Sequence, residues 1–163
     1  MFKPRIVLGL LLLCLVIPLH IYVIGDWMGT GVQFALFRYQ QVAMGQGIIT
    51  ILQDIGYVTS GVYHGRTAAS ILLWAGAAAV LVGAAAWTAF NIVKNEGEGP
   101  MHQRIAGILM LAAGLLVRGS AIAQYGVLLS GPAGISIPIG APFLVCLGWW
   151  LYRESGRPTD ELS

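Results

Sequence analysis

Arg118 lies within the apolar stretch LAAGLLVRGSAIAQYGVLL, residues 111–129, and is the first candidate for chemistry. A guanidinium at the centre of a bilayer costs at least about 2.5 kcal/mol on insertion scales, so it requires a compensating contact. Three interpretations are open: Arg118 reaches the outer lipid headgroups, forms an ion pair with Asp54, or belongs to a site for a substrate, an ion or another subunit. Gln124 follows on the same segment and would extend such a site.

His64 and Arg66 are two further polar residues that could meet Asp54 near one membrane surface. Together with Arg118 they would form a site for a lipid-borne substrate if the protein were an enzyme. No phosphate-binding loop, nucleophile elbow or zinc-protease motif accompanies them. A non-catalytic protein is therefore the main prediction.

Metal binding and thiol chemistry have little support in the sequence. His20, His64 and Asp54 could act as three ligands only if the fold brought them together, because no two histidines have the spacing of metal ligands. Cys14 and Cys146 lie in apolar segments, and no C-x-x-C motif occurs. We expect no metal, no cofactor and no disulfide framework.

The composition indicates an integral membrane protein. Of the 163 residues, 57% are hydrophobic and 10% are charged, whereas soluble domains carry about 25% charged residues. The mean hydropathy is +0.77. The net charge of +2 and the absence of a basic stripe argue against a nucleic-acid partner. Membrane lipids, other membrane subunits or further copies of the chain are the expected partners.

Hydropathy predicts four membrane-spanning helices within a single domain, 1–163. The spans cover residues 6–24, 67–93, 105–129 and 135–152. The first resembles a signal peptide, but it is long enough to span and no A-x-A-like cleavage site follows, so we expect it to be a retained helix.

The distribution of Lys and Arg favours four spans over five. Four spans place both termini, the loop 94–104 and the tail 153–163 in the cytoplasm of a multi-pass cell-membrane protein. The cytoplasmic side then holds Lys3, Arg5, Lys94, Arg104, Arg153 and Arg157, and the outer segment 25–66 holds Arg38 and Arg66. Whether 40–63 spans, re-enters or lies on the membrane is left open by the sequence.

The outer segment is expected to contain an amphipathic helix. Apolar residues recur at three- and four-residue spacing from Met44 to Val62, opposite a stripe that begins at Gln46. The preceding residues, DWMGTGVQFALFRYQ, predict a short hairpin or an irregular interfacial loop. The fold class predicted is an all-α membrane protein with four transmembrane helices and an amphipathic interfacial or re-entrant helix in a long first outer loop.

Small residues mark two predicted helix-packing stripes. One stripe comprises Ala75, Ala79 and Gly83, and the other contains Gly107 and Gly114. Small residues allow close approach of helices in lipid, either within one chain or between chains. Pro132, Pro138 and Pro142 predict a last helix that is kinked or broken, and a broken helix can line a cavity or an ion site.

These features leave three functional hypotheses. The leading one is a non-catalytic accessory or structural subunit of a membrane assembly, or a protein that self-assembles through its small-residue faces. The second is a small oligomeric channel or carrier that uses Arg118 and the proline-broken last helix. The third is the membrane enzyme acting on a lipid-borne substrate.

The predicted layout is similar in outline to that of claudin-like tetraspan proteins. Their outer segment pairs tryptophans with two cysteines, whereas residues 25–66 contain Trp27 and no cysteine. The similarity is therefore one of topology, and a shared outline does not fix function.

Overall fold

The structure, a computed structural model, describes residues 3–25, 27–94 and 100–156. Parts of the predicted cytoplasmic loop, 95–99, and of the predicted tail, 157–163, lie outside the described residues. The elements in chain order are α1 (Pro4–Val16), β1 (His20–Ile24), β2 (Gly29–Gln33), β3 (Phe37–Val42), β4 (Gly45–Thr50), α2 (Ile51–Thr59), α3 (Gly65–Val93), α4 (Pro100–Tyr125), β5 (Ser130–Gly131), β6 (Gly134–Pro138) and α5 (Gly140–Glu154).

The strands form one antiparallel sheet in the order β4-β3-β2-β1-β6-β5. The first four strands follow one another as a meander. The hairpin of β5 and β6 joins the sheet beside β1, so the segment after α4 completes a sheet that begins after α1. A short hairpin was one alternative predicted for residues 26–40, and β2 and most of β3 lie there, but a six-stranded sheet was not expected and the prediction of an all-α protein is wrong.

Two of the helices in the described ranges are long and apolar enough to cross a membrane. They are α3 with 29 residues and α4 with 26, each with a mean hydropathy of 2.0 over its most apolar stretch. At 1.5 Å per residue, the 13 residues of α1 and the 15 of α5 extend about 20 and 22 Å, less than the roughly 30 Å hydrocarbon layer. The prediction of four transmembrane helices is therefore also wrong.

The first predicted span, 6–24, divides into a helix and a strand. Pro18 follows the end of α1, and a proline disfavours the helical conformation of the residue before it. The next residues, HIYVI, are mostly β-branched or aromatic and form β1. Hydropathy alone could not separate these two elements because both are apolar.

The last predicted span, 135–152, divides in the opposite order. Residues GISIP form β6, and α5 then runs without interruption from Gly140 to Glu154. Pro138 ends the strand, and Pro142 lies in the first turn of the helix, where a proline costs no hydrogen bond. The prolines therefore mark the boundary between strand and helix, and the predicted break within the last helix is not observed.

The predicted amphipathic helix across Met44–Val62 is confined to its second half. Its first half is β4, where Gly45 and Gly47 disfavour a helix. The helix α2 begins after Thr50, whose hydroxyl accepts from the Gln53 backbone while the Gln53 side chain accepts from the Thr50 backbone. This reciprocal cap fixes the start of the helix at Ile51.

The core lies among the helices, and the contact between α4 and α5 uses glycine. A Cβ added at Gly107 would lie 2.7 Å from the Gly148 carbonyl oxygen, and one at Gly114 would lie 2.9 Å from Val145 Cγ2. The predicted stripe on α4 therefore faces α5. On α3, Ala75 is half-buried, whereas Ala79 and Gly83 are exposed. Part of this second stripe is therefore not covered by the rest of the described chain.

Candidate functional site

The sheet buries polar side chains on the face that packs against the helices. In β1, β2 and β6, buried residues alternate with less buried ones. The cross-strand register places on the inner face His20, Tyr22, Gly31, Gln33, Arg38, Gln40 and Ser136. Antiparallel sheets usually bury their apolar face, so the polarity of this sheet is reversed.

The outer face of the same sheet is uncharged, and one of its two rows is apolar. One row across five strands joins Ile137, Ile21, Val32, Tyr39 and Ile48, and the next joins Ile135, Val23, Thr30, Gln41 and Gln46. Ile48 is 63% exposed, Ile137 is 59% exposed and Ile21 is 39% exposed. We call these ten residues the outer face.

Beneath the inner face lies a cavity of about 40 Å³. We call it the chamber. Its walls come from the sheet, from α2, from the first turns of α3 and from the end of α4. The lining residues are His20, Tyr22, Gln33, Arg38, Asp54, Thr67, Ser70, Ile71, Trp74, Gln124 and Tyr125. The chamber is therefore a polar space where four parts of the chain meet.

An ion pair between Arg38 and Asp54 forms one wall of the chamber. Arg38 Nη2 donates to Asp54 Oδ1 at 2.8 Å, and the Asp54 side chain is 0% exposed. Burial raises the pKa of Asp54, and the Arg38 guanidinium partly opposes that shift. Because an unpaired carboxylate is costly to bury, the pair fixes α2 against β3.

His20 lies against two aromatic side chains of the chamber. Its ring centroid is 5.8 Å from that of Tyr22 and 6.4 Å from that of Tyr125, both in edge-on geometry. Burial lowers the pKa of His20 to about 4, so the imidazole is neutral at physiological pH. A neutral ring has one nitrogen that donates and one that accepts.

Gly31 makes room for the Tyr22 ring. The two residues are directly paired between β1 and β2, and a Cβ at Gly31 would collide with the Tyr22 phenol. Trp74 closes the opposite side, where its indole N–H donates to the Phe34 carbonyl oxygen at 2.9 Å. This bond ties the β2–β3 connection to α3.

Several polar atoms of the chamber residues lack a hydrogen-bond partner within the described structure. They are His20 Nδ1, Arg38 Nε, Asp54 Oδ2 and Gln124 Oε1. Buried polar atoms are paired in more than about 90% of cases. Four such atoms around one cavity indicate a place where something polar binds.

The structure brings together only part of the predicted site. Asp54 and Gln124 both line the chamber. Arg66 lies nearby and donates from Nε to the Ala123 carbonyl oxygen at 3.0 Å, which links α3 to α4. His64 is exposed immediately before α3 and is absent from the chamber lining.

Arg118 does not pair with Asp54. The carboxylate binds Arg38 instead, so that ion-pair interpretation is wrong. Arg118 is half-buried on α4, and across the described ranges it forms no ion pair or hydrogen bond. Contact with lipid headgroups and a role in a functional site both stay predictions for this residue.

Arg38 was not predicted as the partner of Asp54, and His20 was considered beside Asp54 only as a candidate metal ligand. The alternation in HIYVI and GTGVQ was a usable signal for strands, but the register between the strands was needed to place both residues on one face. Within the residues that the structure describes, no group of three or more His, Cys, Asp or Glu side chains could hold a metal ion.

No protein-family model matches the chain, and no curated protein matches it. The similarity in outline to claudin-like proteins therefore has no support from sequence comparison. The function has to be inferred from the chamber, the outer face and the two long apolar helices.

Proposed function

We propose that the protein is a non-catalytic membrane protein that self-associates through the outer face of its sheet. The observation that carries this proposal is the reversed polarity of the sheet, which leaves an uncharged outer face of ten residues, seven of them apolar or aromatic, exposed or partly exposed across five strands. Contiguous exposed apolar surface is typical of an interaction site. The occupant that we propose is the same face of a second copy.

The helices α3 and α4 would hold the protein in the cell membrane. Only 39% of the most apolar stretch of α3 and 44% of that of α4 is buried inside the described chain. The other residues of each stretch are exposed or only partly buried, as expected for helices in contact with lipid. A helix in the core of a soluble protein would bury most of this surface.

The charge distribution supports an orientation with the sheet outside the cell. Arg104 Nη2 donates to the Tyr152 hydroxyl at 3.1 Å, so the end of α5 lies beside the start of α4. The helix ends remote from the sheet carry Arg5, Lys94, Arg104 and Arg153. By the positive-inside rule, the end of α3 and the start of α4, which carry Lys94 and Arg104, would be cytoplasmic.

A second copy is a suitable occupant because the outer face has no charge to repel itself. All ten of its residues are apolar or uncharged polar. A two-fold contact places the same patch on both partners, and a charged patch would meet its own sign across the axis. Packing of two such faces would resemble the aligned packing of two sheets.

The size of the outer face indicates why the membrane matters. Five strands about 4.8 Å apart and about 16 Å long give a patch of roughly 400 Å². The combined area of two such patches is smaller than the roughly 1,200–2,000 Å² of surface that stable soluble complexes bury. Confinement of both copies to one membrane raises their effective concentration, which compensates for a small interface.

The open stripe on α3 offers a second contact between copies. Ala79 and Gly83 are exposed, and a Cβ at Gly83 would meet no atom within 4 Å. Small residues in lipid favour close helix association. A contact here would add to the sheet contact, although the proposal does not require it.

Cysteine cross-linking in native membranes tests the proposal. The starting variant is Cys146→Ser, because Cys146 is exposed and Cys14 is buried. Ile137→Cys, Val32→Cys and Ile48→Cys are then treated separately with a short bis-maleimide. We expect a cross-linked dimer of this chain from at least one position on the outer face.

Leu52→Cys is the matched control because Leu52 is 76% exposed but lies on α2, away from the outer face. We expect it to give at most background cross-linking. Equal yields from Leu52→Cys and the outer-face positions would contradict the proposal. Cross-linking only to a different polypeptide would contradict self-association as well.

A further inference from the structure

We propose that the chamber is a binding site for a small uncharged molecule that carries a primary carboxamide or a urea-type group. The cavity beneath the sheet is lined by four buried polar atoms without a partner in the described structure. This site is separate from the outer face, and the inference does not depend on self-association.

The hydrogen-bonding capacity of the chamber matches a carboxamide. Asp54 Oδ2 and Gln124 Oε1 accept hydrogen bonds, Nδ1 of His20 accepts one in the tautomer that carries its proton on Nε2, and Arg38 Nε donates one. A primary carboxamide has one carbonyl acceptor and two N–H donors, and urea has four N–H donors. A primary carboxamide would accept from Arg38 and donate to Asp54 and Gln124, whereas a urea-type group could donate to His20 as well.

The burial of these residues makes the unpaired atoms informative. Asp54 is 0% exposed and His20 is 3% exposed, so their side chains are shielded from bulk water. Leaving a buried acceptor without a partner is unfavourable. A bound donor group would satisfy several acceptors at once, which favours a compact, donor-rich molecule.

The walls limit the size of the ligand. A cavity of about 40 Å³ has room for only a few water-sized groups. Tyr22, Tyr125 and Trp74 line it with aromatic surface, which suits the flat, weakly polar faces of an amide. A ligand of about four to six non-hydrogen atoms would therefore be enclosed.

The charges of the chamber favour a neutral ligand. Arg38 and Asp54 already neutralise each other at 2.8 Å. An anion would meet Asp54, and a cation would meet Arg38, so either ion would enter a site whose charge is already balanced. Selectivity for uncharged molecules follows from this pair.

Binding of acetamide to the purified full-length protein tests the inference. Saturation-transfer NMR reports contact with the acetamide methyl group, and the fluorescence of the protein reports a change near Trp74. We expect saturable binding of acetamide. N,N-dimethylacetamide, which has no N–H donor, should bind at least tenfold more weakly, and methylammonium should not compete.

A pair of variants separates the chamber from the rest of the protein. Gln124→Leu removes one acceptor from the lining and should weaken acetamide binding about tenfold. Arg118→Gln changes a residue of the same helix that does not line the chamber, and it should leave binding unchanged.

The result that would overturn the inference does not depend on any variant. If acetamide does not bind, or if N,N-dimethylacetamide binds equally well, the chamber is not a carboxamide site. Competition by methylammonium would exclude selectivity for neutral molecules. Unchanged binding by Gln124→Leu would overturn the assignment of the site to the chamber.

Discussion

The two faces of the sheet have opposite chemistry and opposite exposure. The inner face carries His20, Arg38 and Gln33 and is buried against helices, whereas the outer face carries Ile21 and Ile137 and is exposed. A sheet that stabilised only its own chain would bury the apolar face. This reversal is the observation from which we propose an interface between copies on the outer face and a binding chamber beneath the inner face.

The inner face is stabilised by pairing. Burying polar groups costs free energy unless they are hydrogen-bonded or paired, and the Arg38–Asp54 pair meets that requirement on one side of the chamber. The outer face has no such requirement. Its apolar side chains are exposed to water instead, which is unfavourable. Changes on the inner face should therefore affect folding, and changes on the outer face should affect association.

Removal of the Asp54 carboxylate should have the largest effect. Asp54→Ala leaves the buried guanidinium of Arg38 without its partner, which should lower the free energy of unfolding by about 3–5 kcal/mol. Denaturant titration in detergent micelles measures this loss. The double variant Asp54→Leu with Arg38→Met should recover much of it; if the double variant is as unstable as Asp54→Ala, the pair is not the cause.

Acid should destabilise the protein through His20. The pKa of His20 falls from 6.5 in the unfolded chain to about 4 in the folded one. Between these pH values the imidazole is protonated in the unfolded state but not in the folded state. The free energy of unfolding therefore decreases by roughly 3 kcal/mol as the pH falls from 6.5 to 4. The raised pKa of Asp54 acts with the opposite sign, because the folded state then binds a proton more readily.

The control for this pH dependence is a pair of histidine variants. His20→Gln should flatten the stability profile between pH 6.5 and 4. His64→Ala should keep it, since His64 is exposed. A profile that is unchanged in His20→Gln would show that His20 is not its source.

Substitution of Gly31 should have a smaller effect, of about 2 kcal/mol on the free energy of unfolding. A Cβ at Gly31 would collide with the Tyr22 ring, and such overpacking typically costs 1–3 kcal/mol. Gly47 lies on the same cross-strand row, but a Cβ there would meet no atom within 4 Å. Thermal unfolding of Gly31→Ala and Gly47→Ala compares the two, and equal losses would contradict the proposed contact.

Substitution on the outer face should have the smallest effect on folding. Ile137 is 59% exposed, so Ile137→Thr should change the free energy of unfolding of the monomer by no more than about 0.5 kcal/mol. Unfolding at a detergent concentration that separates the copies measures this value. A loss of several kcal/mol would mean that Ile137 packs within its own chain.

The sequence predicted the two long helices well but not the sheet. Residues 67–93 and 105–129 were recognised by length and hydropathy, and α3 and α4 occupy most of both ranges. The strands β1 and β6 were assigned to helices because apolar residues adjoin them without a polar break. Pro18 and Pro138 were the signals of a change in structure; Pro138 had been interpreted as a kink or break in a helix, and Pro18 had not been considered.

The site could be predicted only in fragments. Asp54 and Gln124 stood out as polar residues in apolar surroundings, and both line the chamber. Arg38 could not be assigned to Asp54 because the two are 16 residues apart and meet only when β3 takes its place in the sheet. Strand register is a tertiary property, since a shift by one residue would exchange the two faces.

The native mass of the gently extracted protein tests the central claim most directly. We predict that the wild-type chain migrates as a dimer or a larger closed assembly, and that Ile137→Asp migrates as a folded monomer. Leu52→Asp, on α2, should keep the wild-type mass. A wild-type monomer, or an Ile137→Asp variant with the wild-type mass, would contradict the assignment of the outer face as an interface between copies.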